Sequence, residues 1–159
     1  MIKKLNAAKA ILIILLAVLL FFIGRPEVTK QLPAEMLQAL YEQDAQAADM
    51  VQGDTQALMR LYGIDADDIG AFLLYYPKAS TDVDELLILQ TKDGKMGTYT
   101  ALVKERLATQ KTAFDGYGME QSGLLEKSKV VVYGDCLFFG VSDQVGLWKE
   151  RFLSAIKKS

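Results

Sequence analysis

At 159 residues and 17.6 kDa, the chain has room for one domain and an appendage. Hydrophobic residues make up 51% and charged residues 24%, which excludes a disordered or collagen-like chain, and a net charge of −2 with pI near 5.2 offers no basic field for nucleic acid. With no His and a single Cys, His-dependent catalysis, His- or Cys-cluster metal sites and an intramolecular disulfide are excluded, and no motif points to a cofactor.

Lys3, Lys4 and Lys9 precede the apolar run from Ala10 to Ile23. Residues 1–9 read as a short cytoplasmic tail and residues 10–24 as a transmembrane anchor. The 14-residue run spans only ~21 Å as helix, but counting from Leu5 to Gly24 gives about 30 Å if the Lys9 ammonium snorkels to the interface. Membrane lipid is therefore an expected partner of residues 5–24. A cleaved signal is the alternative, although Phe22, Ile23, Arg25 and Pro26 make a poor small-x-small site. The lysines hold the amino terminus inside, so the remainder is expected outside the cytoplasm. From Arg25 onward the chain carries 15 basic and 20 acidic residues, a net −5.

Residues 25–33 (RPEVTKQLP) read as a linker, and residues 34–159 as the extracytoplasmic domain. Met36, Leu37, Leu40 and Tyr41 repeat at helical spacing, so a first amphipathic helix is expected over AEMLQALYEQDAQAADM. Gly53-Asp54 breaks it; Asp54 or Thr55 can cap a second helix that Gly63 ends. Ile69–Tyr76 and Glu85–Thr91 have the length and apolar content of a hairpin's strands. Gly97–Phe114 contains no breaker and should form the longest helix, with Thr98 as its cap, and a short helix follows over Met119–Lys127. Lys129–Tyr133 and Cys136–Val141 flank Gly134-Asp135 as a second hairpin. Ser142 or Asp143 then caps a terminal helix with Val145, Trp148, Phe152 and Ile156 on one face. The order α-α-β-β-α-α-β-β-α specifies an α+β domain: an antiparallel sheet of about four strands packed by helices, preceded by the transmembrane helix.

This ordered set resembles a family of uncharacterised membrane-anchored or lipoprotein domains of clostridial-type Gram-positive bacteria, a domain of unknown function. The resemblance is carried by LYGIDADDI, the strand Glu85-Leu86-Leu87-Ile88-Leu89, the helix with Lys104-Glu105-Arg106 and Gln110, Phe114-x-x-Tyr117 with Gln121, and the Val-rich closing hairpin. It spans Leu37 to Phe152 and implies fold and location; it brings no catalytic residue.

Arg106 is the most informative position. Tyr99, Leu102, Val103, Ala113, Phe114 and Tyr117 form one apolar face on a helical wheel, with Arg106 and Gln110 near its centre. Polar groups there need partners. In the structural reading, the Arg106 stem packs on the sheet and its head pairs with a carboxylate such as Glu85. In the functional reading, Arg106, Gln110 and Tyr117 contact a ligand or partner in a groove, where the guanidinium fork suits an anion.

The acids Asp65, Asp67 and Asp68 fail as a calcium loop, since the twelfth position is Tyr76, and read as caps. Asp82, Asp84 and Glu85 sit in a hairpin loop where charge is ordinarily solvated. Cys136 opens an apolar strand and reads as a buried thiol. Tyr75-Tyr76 and Phe138-Phe139 are adjacent pairs, so one of each points to the far side of the sheet, where helices cover it or a sticky patch is left for a partner.

The expected role is a membrane-anchored extracytoplasmic binding or assembly module of the cell envelope, non-enzymatic, with an envelope protein as partner. The alternative is an accessory subunit or enzyme of envelope polymer modification with Arg106 in an anion-binding groove.

Overall fold

The computed structural model describes residues 12, 15, 16, 33–92, 94–116 and 118–158. Among them are six α-helices and one five-stranded sheet. Short helices α1 (Ala34–Ala39) and α2 (Ala45–Ala48) lead into β1 (Val51–Gln52), and α3 (Thr55–Tyr62) and a 3₁₀ turn (Ala66–Asp68) lead into β2 (Ile69–Tyr76). Then come β3 (Glu85–Thr91), α4 (Met96–Phe114), α5 (Met119–Lys127), β4 (Lys129–Tyr133), β5 (Cys136–Val141) and α6 (Val145–Lys158). The strands run in the order β1-β2-β3-β5-β4, every pair antiparallel.

Both hairpins lie where the apolar runs place them. In the second, Tyr133 faces Cys136 across two residues, and Gly134 takes φ 57 at the first central position, where tight hairpin turns favour glycine. Asp54 caps α3 by accepting from the Ala57 amide at 2.8 Å, and Gly63 ends that helix in the left-handed region. Ser142 Oγ accepts from the Gln144 amide at the start of α6.

Four expectations are corrected. The sheet has five strands rather than four, because Val51-Gln52 pairs with Tyr75-Tyr76. Two residues are too few for an alternating pattern to show. The single first helix is two: Asp44 takes an extended backbone and caps α2 through the Gln46 and Ala47 amides, which ends helical continuity after α1. Thr98 is not the cap of α4, which begins at Met96 directly after the turn containing Gly94 at φ 71; Thr98 lies inside the first turn. Ala113 is exposed, although its neighbour Phe114 packs against the buried core.

The central strand β3 is buried along its whole length, since helices cover both sheet faces. On the first face, Leu86, Ile88, Phe138 and Cys136 meet Leu37 and Tyr41 from the α1 region and Trp148, Phe152 and Ile156 from α6. On the second, Leu87, Leu89, Leu137 and Phe139 meet Leu58 and Tyr62 of α3, Tyr99 and Val103 of α4 and Leu125 of α5. This arrangement absorbs the adjacent aromatics: Phe138 and Phe139 are both wholly buried, on opposite faces. Gly140 lets α6 approach, because a Cβ there would lie 2.9 Å from Phe138 and 3.0 Å from Val145.

Among the described residues no helix is long and apolar enough to cross a membrane. The anchor expected over residues 10–24 lies outside the described residues, apart from Leu12, Leu15 and Leu16, which are helical and exposed. The tail over residues 1–9 also lies outside them, as does the linker over residues 25–33 except for Pro33.

Candidate functional site

Glu85 is the first residue of β3 and shares the second face with Leu87 and Leu89. Its side chain is 0% exposed. A carboxylate so placed needs donors for its lone pairs, and three side chains from two helices supply them. From α4, Arg106 donates through Nε to Oε1 at 3.3 Å and through Nη2 to Oε2 at 2.9 Å. One turn later, Gln110 Nε2 donates to Oε2 at 2.8 Å, and the Tyr62 hydroxyl at the end of α3 donates to Oε1. The fork geometry is the one by which Arg binds carboxylates.

Each neighbour carries the mark of this carboxylate. Burial and then the Glu85 charge push the Tyr62 hydroxyl well above its ordinary range, so it stays a donor. Burial alone would lower the Arg106 guanidinium, but the Glu85 bond and charge outweigh it and hold it above its usual value. The structural reading of Arg106, with Glu85 as partner, is therefore what the fold contains. Glu85 itself is not a solvated loop charge: it opens the central strand, beneath α4.

The cluster is not sealed. Arg106 has a side chain 21% exposed and, with Gln110, lines a groove of about 400 Å³ between the end of α4 and the segment after β2. Leu61, Pro77, Ala113 and Phe114 form its apolar parts, and Lys78, Asp82 and Thr109 its polar rim. Gln110 is only 6% exposed, and its Oε1 is buried without a hydrogen-bond partner among the described residues. Of the three residues expected to contact a ligand, Arg106 and Gln110 come together here, and Tyr117 lies outside the described residues.

A second buried carboxylate escapes sequence reasoning. Asp44, 5% exposed, caps α2 and accepts from Trp148 Nε1 at 3.1 Å and Arg151 Nη1 at 2.6 Å on α6. Burial raises its carboxyl, but the Ala47 amide, Trp148 and Arg151 outweigh that and leave it below its ordinary value. Tyr41 donates its hydroxyl to the Trp148 carbonyl at 2.8 Å nearby. The only sequence signal for Asp44 is an acid three residues ahead of a helical alanine pair, a pattern also common on solvated faces.

Other acids divide in the same way. Asp65 accepts from the Asp67 amide and caps the 3₁₀ turn, as expected. Asp84 accepts from Gln46 Nε2 at 2.8 Å, and Ser142 Oγ donates to Gln46 Oε1 at 2.6 Å. Burial, Asp143 and Asp82 push the Asp84 carboxyl up. Among the described residues no group of three or more Cys, Asp or Glu side chains is placed to hold a metal ion. Cys136 is a buried thiol that donates to Asp135 Oδ1 at 3.5 Å.

No curated protein and no solved structure matches the chain. The model of a domain of unknown function, DUF4358, matches residues 43–142, a stretch that holds the whole sheet and both buried carboxylates, and the chain belongs to that family.

Proposed function

We propose that the chain is a binding or assembly module of a Gram-positive cell envelope, anchored through residues 10–24 with residues 34–159 displayed outside the cytoplasm. Lys3, Lys4 and Lys9 ahead of the apolar run, and the absence of acids before Glu27, support this orientation. The observation that carries the binding role is the groove beside Arg106, where an ion-paired arginine with spare donors and a buried glutamine meet apolar walls. Its contacts are Arg106 and Gln110, with Tyr117 retained as a third on sequence grounds.

The rival reading, an anion held by Arg106 for envelope polymer modification, has weaker support because Glu85 already balances that charge. Recovery of an envelope protein from detergent-solubilised membranes, through a tag after Ser159, tests the proposal. A partner recovered by the wild type and lost with Arg106→Lys is expected, since Lys keeps the charge but not the fork. Equal recovery by both proteins would remove the groove from the interface. Release into the medium of a domain cut near Arg25 would overturn the anchor.

A further inference from the structure

We infer that the groove beside Arg106 takes one residue of an extended, uncharged peptide, whose C=O accepts from the Arg106 guanidinium and whose N–H donates to Gln110 Oε1. This rests on the reading of the groove as the binding face.

The guanidinium has five N–H donors, of which Glu85 takes one on Nε and one on Nη2. Tyr62 also stands within hydrogen-bonding reach of the guanidinium, and the side chain, 21% exposed, lines the groove. Gln110 is fixed in one orientation: Nε2 donates to Glu85 Oε2, and the flipped amide would set Oε1 against the carboxylate. Its free oxygen is thus an acceptor removed from water and given nothing in exchange, where a delivered donor gains most. Because Arg106 and Gln110 both bond Oε2, spare donors and an empty acceptor stand side by side.

An extended residue points its N–H and its C=O to the same side, as in a hydrogen-bonded antiparallel pair. The two groups of a single trans amide point in opposite directions, so an isolated acetamido group meets only half of this arrangement. Charge also argues against an anion. Glu85 neutralises Arg106, Asp49 pairs with Lys78 at 2.9 Å, and Asp82 lies on the rim. Leu61, Ala113 and Phe114 supply an apolar wall for the ligand's side chain. Entry requires the rim to part, and Lys78 and Thr109 are exposed there.

Calorimetric titration of the full chain in detergent micelles tests this with four probes and inorganic phosphate. N-acetylleucine methylamide should bind with Kd on the order of millimolar, as expected for a ligand of that size. N-acetyl-N-methylleucine methylamide, which lacks the leucine N–H, should bind at least about fivefold more weakly, the worth of one such bond. N-acetylleucine, N-acetylglucosamine and phosphate should also be weaker. Gln110→Met should abolish the preference for the N–H probe; the wild-type comparison decides the matter if that variant does not fold. Equal binding of the N-methylated probe, tighter binding of N-acetylleucine, N-acetylglucosamine or phosphate, or no binding by any probe would overturn the inference. If the probes fail while Arg106→Lys still loses a partner from membranes, the ligand class is wrong and the groove stands. If Arg106→Lys loses nothing, the groove reading itself has failed.

Discussion

Each face of the sheet buries one carboxylate against an arginine, and the two differ in what surrounds the pair. On the first face Asp44 ties α2 to α6: two amides, an indole N–H and Arg151 converge on it. On the second face Glu85 ties β3 to α3 and α4, and its donors are all side chains. Backbone amides come with the helix they cap, so two of the four donors to Asp44 are supplied locally. Side-chain donors bring further polar atoms with them, and one of these, Gln110 Oε1, is left over at the edge of a groove. Among the described residues the first cluster leaves no buried side-chain polar atom unpaired, whereas the second joins the fold together and leaves one.

The comparison can be broken most forcefully at Glu85. Glu85→Ala strips the partner from Tyr62, Arg106 and Gln110 at once and should cost about 4 kcal/mol in urea unfolding. Arg106→Ala, which leaves the carboxylate buried and unpaired, should cost about 3 kcal/mol, and Arg106→Lys about half of that. At Asp44 the loss is smaller because the Arg151 side chain is 35% exposed and can recover water. Asp44→Ala should cost about 2 kcal/mol, through the lost cap and the orphaned Trp148 N–H.

Acid titration sharpens the contrast. The Asp44 carboxyl is held below its ordinary value, so its contribution is complete above the unfolded value of about 3.8 and is lost as pH falls through the lower folded value. Asp44→Asn should therefore flatten the acid limb of stability below about pH 4, measured by circular dichroism melts. Asp84 has the opposite sign. Its folded value is raised, so its penalty grows as pH rises from 3.8 through that folded value and persists at neutral pH. The smallest effect expected is a slight rise in Tm at pH 7 for Asp84→Asn, which removes the repulsion from Asp143 and Asp82 and keeps an oxygen for Gln46.

The two clusters were unequally legible. An arginine at the centre of an apolar helical face announces that it needs a carboxylate, and Glu85, directly ahead of the apolar run 86–89, was an available one. The hairpins and terminal helix were legible because their periodicities are long enough to count: Val145, Trp148, Phe152 and Ile156 are all buried. Asp44 stands within a stretch rich in polar residues, and its partners Trp148 and Arg151 lie more than a hundred residues away. Nothing local separates it from a surface acid, so the helix break it causes was hidden too. Gln110 was visible as a polar residue in the apolar stripe, but that only half of its amide would find a partner is a property of the packed cluster.

The most direct test is a double-mutant cycle on Glu85 and Arg106, with Glu85→Leu, Arg106→Leu and the double variant compared by urea unfolding. If the pair acts as one buried unit, the double variant should be more stable than either single variant, with a coupling energy of about 2 kcal/mol or more. A coupling below about 0.5 kcal/mol, with additive losses, would show that Arg106 and Glu85 act independently and would contradict the clasp from which the groove is built.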